Sequence, residues 1–158
     1  MLLLFDLDDT LYSRTEQLPD VPTAEDLQKI RPFPGVAELL LKEGITKVLV
    51  TRGAVQNQFL KLKVLKIEAY FQKIMVCPTD EEKKKCFADA LLQFPDTDVW
   101  VIGNRIDSEI RYGKELGLKT VLLNHGKYKA LVPRDGFEIP DHTIERFHDL
   151  FLVLGVEK

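Results

Sequence analysis

"MLLLFDLDDTL" occupies residues 1–11, and its two halves obey different physics. Residues 2–5 are wholly apolar, the composition of a strand buried on both faces. Residues 6–9 then place three carboxylates, Asp6, Asp8 and Asp9, within four positions. Like charges this close repel, so a buried strand that ends in them needs a counter-charge, and a hard divalent cation such as Mg²⁺ supplies one through oxygen ligands. A solvated polar turn is the competing reading, and the stretch alone leaves both open.

Further along, "TKVLVT", "KIMVC", "DVWVIG" and "KTVLLN" repeat the short Val/Ile/Leu-rich pattern. Helical segments fall between most of them. "AVQNQFLKLKVLK" carries a stripe through Val55, Phe59, Leu62 and Leu65, and "VAELLLKEG" stops at Gly44. "TDEEKKKCFADALLQF" opens with Thr79 and Glu82 at capping-box spacing. Strand and helix in alternation predict a doubly wound α/β fold with a mainly parallel sheet and helices on both faces. Ligands then gather outside the carboxyl ends of the strands.

Residues 12–34, broken by Pro19, Pro22, Pro32 and Pro34, read as a flap with at most a short helix near Thr23. The stretch "HGKYKALVPRDGFEIPD" reads as a surface loop, and "IERFHDLFLVL" as a closing helix. At 158 residues the chain suits one domain, residues 1–158. Its net charge of −3 has no basic stripe, so nucleic acid is not favoured as a partner. The opening apolar run is too short for a leader or a membrane span, and a cytoplasmic location is expected. Cys77 and Cys86 match no zinc spacing and are assigned to packing.

Other strand ends add chemistry. Thr51 ends the second strand and is followed by Arg52 and Gly53 at a helix start, where free N–H groups favour a phosphate. Gly103 ends the fourth, followed by Asn104, Asp107 and Glu109, each able to offer oxygen to a metal.

With these residues the chain resembles the haloacid dehalogenase-like phosphohydrolases. Their DxDxT hallmark matches Asp6-Leu7-Asp8-Asp9-Thr10, and "IGNRIDSEIRYGKELGLKTVLL" resembles their acidic fourth motif. The resemblance implies a first strand flanked by the second and fourth, and a Mg²⁺ cofactor. Asp6 becomes the nucleophile and a metal ligand, and Asp8 the general acid and base with its carbonyl on the metal. Thr51 binds the phosphoryl group, and a lysine after the third strand neutralises its charge. Lys83, Lys84 and Lys85 are all available, and Lys83 is preferred because it lies nearest the helix start. Asn104 and Glu109 stand where Asp is common in the family. Asp8 argues for a phosphatase rather than a dehalogenase, and the short intervals between motifs argue for a member without a cap domain. An open site suits a phosphorylated macromolecule, or a small metabolite closed off by a second subunit. A metal- or phosphate-binding module without turnover is the alternative, and a phosphoacceptor signalling domain is less well matched.

Overall fold

A computed structural model describes residues 1–158 and builds them around one six-stranded sheet. Its strands are β1 (Leu2–Phe5), β2 (Thr46–Arg52), β3 (Lys73–Cys77), β4 (Val99–Gly103), β5 (Lys119–Leu123) and β6 (His142–Ile144). They lie in the order β3-β2-β1-β4-β5-β6, every pair parallel. This is the expected doubly wound fold, with β1 between β2 and β4. β6 lies beyond the five expected strands because "HTI" has no apolar run, two of its three residues being exposed.

Both faces of the sheet are covered, which explains the continuous apolar runs. Leu3 and Phe5 of β1 enter a large core with Leu49 and Ile102, whereas Leu2 and Leu4 enter a smaller one with Val48, Val50 and Val101. Between β1 and β2 run α1 (Arg14–Gln17), α2 (Ala24–Leu27) and α3 (Val36–Leu40). α4 (Val55–Leu65) joins β2 to β3, α5 (Glu82–Gln93) joins β3 to β4, and α6 (Arg111–Glu115) precedes β5. α7 (Leu150–Leu154) closes the large core and is shorter than its sequence pattern implies, since residues 147–149 form a 3₁₀ turn. No helix is long and apolar enough to cross a membrane.

Two local expectations need correction. Thr79 caps nothing: α5 starts at Glu82, with Glu81 rather than Thr79 in the cap position and in helical geometry, and no side chain caps it. The capping box forms instead at Thr23 and Asp26, where both reciprocal hydrogen bonds steady α2. On α4 the buried residues are Gln58, Lys61, Leu62 and Leu65, while Val55 is exposed. The helix has turned two polar side chains inward, towards the carboxyl ends of β1 and β2.

Candidate active site

Asp6 directly follows β1, its N–H bonded to the Ile102 carbonyl at 3.0 Å, so the sheet itself fixes its position. Its carboxylate is 5% exposed. Oδ1 accepts from Lys83 Nζ at 3.0 Å, and Oδ2 accepts from the buried Thr10 hydroxyl at 3.1 Å. Lys83 reaches inward because it shares a face of α5 with Phe87 and Ala90, and it also pairs with Glu109 at 2.5 Å. Lys84 points elsewhere, to Glu115. Burial pushes Asp6 up to about 7 despite the opposing pull of Lys83, with Glu109 and Asp8 adding to the rise. Burial would push Lys83 down, but Asp6 and Glu109 more than reverse it and hold the ammonium charged.

One terminal atom of the Asn104 amide lies 3.2 Å from Asp6 Oδ2 and 3.3 Å from the main-chain oxygen of Asp8. When that atom is nitrogen it donates to both; when it is oxygen, three acceptors converge and only a cation can reconcile them. In the second orientation the donor set is hard and all-oxygen, which fits Mg²⁺. The side chain of Asp8 faces away. It accepts from Lys61 at 2.8 Å, Gln58 at 3.1 Å and the Tyr12 hydroxyl. Burial pushes the Asp8 carboxyl up, but the Lys61 ammonium and these hydrogen bonds outweigh it and hold Asp8 below the ordinary range. The main-chain oxygen of Asp8 is the atom that meets Asn104, while Asp8 also lines the cavity shared with Asp6 and Lys83.

Two proposed metal ligands lie outside that cluster. Asp107 is engaged through both oxygens by Arg105 at 3.0 Å. Glu109, fully buried, gives one oxygen to Lys83 and the other to the Arg105 N–H at 3.1 Å. A five-residue π-helical turn, Ile106–Ile110, carries both and leads into α6, and its extra width is a common device at functional sites. Gly103 is required here, since a Cβ would sit 2.6 Å from the side chain of Glu109. Glu109 therefore positions Lys83.

At the end of β2 the geometry also departs from expectation. Thr51 is fully buried, and its hydroxyl accepts from Gln58 at 2.6 Å, outside the lining of the cavity above Asp6. The Gly53 N–H is taken by the Cys77 carbonyl at 3.2 Å and is not free for an anion. Arg52 does line the cavity and pairs with Asp80 at 3.0 Å. Gln58 and Lys61 went unnoticed in the sequence, although a polar residue on the inward stripe of an amphipathic helix is the signal that could have found them. The cavity holds about 130 Å³ and is lined by twelve residues, of which Tyr128 alone is hydrophobic.

Residues 83–150 match a family model described as HAD-hydrolase-like. A glyceraldehyde 3-phosphate phosphatase of Pyrococcus furiosus is 31% identical over 137 residues, covering 81% of this chain and 56% of that protein. The protein of the same name from Methanopyrus kandleri is 29% identical over 134 residues, covering 79% and 57%. The chain thus spans little more than half the length of these relatives. Among solved structures, a predicted phosphoglycolate phosphatase from Haemophilus somnus aligns with a TM-score of 0.76 at 17% identity, covering 97% of both chains. A Bacillus subtilis HAD-hydrolase bound to magnesium aligns with a TM-score of 0.71 at 16% identity, covering 98% of both. The sheet thus aligns on HAD-hydrolases along almost its whole length, and residues 83–150 fit a HAD-hydrolase-like sequence model, so the chain has their fold and is similar to them in its carboxyl half.

Proposed function

We propose that the protein is a Mg²⁺-dependent phosphatase that hydrolyses phosphomonoesters through an aspartyl-phosphate on Asp6. One observation carries this reading: a single buried carboxylate has one oxygen on a lysine and the other beside the Asn104 amide, which also meets the main-chain oxygen of Asp8. Asp6 Oδ2, the Asp8 carbonyl and Asn104 would hold the metal. When bound, Mg²⁺ supplies positive charge to the phosphoryl group and keeps Asp6 ionised.

Lys83 stabilises charge on the phosphoryl oxygens as Asp6 Oδ1 attacks phosphorus and the ester P–O bond breaks. The leaving oxygen takes its proton from the acid form of Asp8, which is left as a carboxylate. Water then attacks the aspartyl-phosphate, its proton passes to Asp8, and inorganic phosphate leaves with Asp6 restored. Thr51 acts on this site through Gln58, which also holds Asp8. Small polar phosphomonoesters, including the three-carbon ester in the relatives' name, fit a cavity of this size and polarity.

Asp8 held as a carboxylate by Lys61 is ready to act as a base and poorly placed to give up a proton. An aryl phosphate, whose leaving group needs no proton, is therefore expected to turn over faster than an alkyl phosphate. Lys61→Gln removes the main influence that holds the Asp8 carboxyl down and is expected to narrow that ratio. The same pairing favours a second reading, a phosphate-binding module with little turnover.

The deciding experiment is phosphate release from p-nitrophenyl phosphate with Mg²⁺ or with EDTA, together with acid-quench trapping of phosphorylated protein. Release and a trapped acyl-phosphate that both require Mg²⁺ are expected. Release that persists undiminished in EDTA would refute the metal assignment. Phosphate binding without release would leave the binding module.

A further inference from the structure

The cavity's charges are unequally matched. Its carboxylates all have donors: Asp6 and Glu109 share Lys83, Asp8 has Lys61, Asp9 has both the N–H and the hydroxyl of Thr15, and Asp80 has Arg52 and Arg105. Two of its cations, Arg14 and Lys127, form no ion pair. Arg14 Nη2 donates to the Pro19 and Asp20 carbonyls, which fixes the guanidinium but leaves Nε and Nη1 without protein partners. Lys127 Nζ lies 5.1 Å from the Tyr128 ring centroid, while Arg105 stacks on the same ring at 4.2 Å.

The segments that carry these two cations are fastened together. The Lys127 N–H donates to the Thr15 hydroxyl at 3.2 Å, and His125 Nε2 lies 2.6 Å from Ser13 Oγ, the cap of α1. Gly126, at φ 84°, packs so closely on Asp9 that a Cβ would lie 2.7 Å from its carboxylate. Arg14 and Lys127 are thus presented to the cavity by a braced pair of segments, so little ordering is needed to bind a ligand between them. Arg14 is half-buried and Lys127 exposed at the rim, and the bracing comes from the backbone and neighbouring side chains.

We infer that the substrate carries a second anionic group, a carboxylate or another phosphate, on the leaving-group side of the ester, and that Arg14 and Lys127 receive it. The inference rests on the phosphatase reading for the ester phosphate but uses different residues. With Tyr128 as the single hydrophobic lining residue, nothing in the cavity rewards an apolar leaving group. Charge-assisted hydrogen bonds from unpaired guanidinium and ammonium groups select by charge and are about twice as strong as neutral ones.

Three compounds that differ only at the far carbon test this: 3-phosphoglycerate, glyceraldehyde 3-phosphate and glycerol 3-phosphate. The natural protein is expected to favour the carboxylate at least tenfold in kcat/KM over the other two, and Arg14→Gln with Lys127→Gln to remove most of that preference. 1,3-Propanediol bisphosphate reports whether a phosphate serves in place of the carboxylate. Because each preference is a ratio within one protein, a partly unfolded variant does not distort it. Equal rates on all four compounds, or a preference that survives in the double variant, would overturn the inference. Calorimetry with phosphonoacetate and ethylphosphonate in Mg²⁺ separates this from failure of catalysis. Tighter binding of the first upholds the second-anion site even when no compound is hydrolysed, and equal binding refutes it.

Discussion

Asp6→Asn is expected to lower phosphate release by more than about a thousandfold while leaving the protein at least as stable as before. The loss follows from chemistry: an amide oxygen cannot form the acyl-phosphate, and the nucleophile is the one group the reaction cannot do without. Stability moves the other way. Asp6 sits 5% exposed beside Asp8 and Glu109, and its raised pKa says that burial opposes its charge. Replacing it with a neutral isostere removes that opposition, and Lys83 keeps Glu109 as a partner. A calorimetric melt without Mg²⁺ alongside the phosphate assay checks both halves. A large fall in Tm would mean that the charge on Asp6 stabilises the fold, and would contradict the account of the site.

Lys83→Met has the opposite balance. It leaves two carboxylates buried without a cation, a situation that costs about 3–5 kcal/mol and lowers Tm by roughly 10 °C in a chain of this length. Activity falls with it, because the positive charge facing the phosphoryl oxygens is gone. The pH dependence has a definite sign. Loss of Lys83 removes an influence that lowers Asp6, so the folded-state pKa of Asp6 rises further above its unfolded value. The penalty is then absent below the unfolded pKa, near pH 4, where the carboxyl is protonated in both states. It grows as pH climbs from there towards neutrality. Melts of the variant between pH 4 and 8 test this, and adding Glu109→Gln is expected to recover part of the loss. A deficit independent of pH would point to lost packing instead.

β1, its acidic end and Lys83 were legible in the sequence because each rests on a local pattern: an unbroken apolar run, three acids in four positions, and a lysine one turn before an inward Phe. That β2 and β4 flank β1 followed from the resemblance and is what the sheet shows. What escaped depends on which way side chains turn after the backbone is placed. Asp107 and Glu109 look like metal ligands until Arg105 and Lys83 are seen to claim them. Thr51 occupies its expected strand end, yet Gln58 stands over its hydroxyl. Lys61 and Arg14 carry no motif signal in the sequence, and only the fold brings one to Asp8 and the other to the cavity.

The pairing of β1 with β4 carries a kinetic consequence. Leu2 to Phe5 align with Val99 to Ile102, so Asp6, Asp8 and Asn104 meet only after a loop of almost a hundred residues has closed. Closing such a loop is an entropic cost met before its contacts form, and parallel pairing between distant segments is among the slower events in folding. A nascent chain has its carboxylates at once but not the cluster they form with Asn104. Competence arrives late and all together, when the strand bearing Asn104 settles beside the strand that came first.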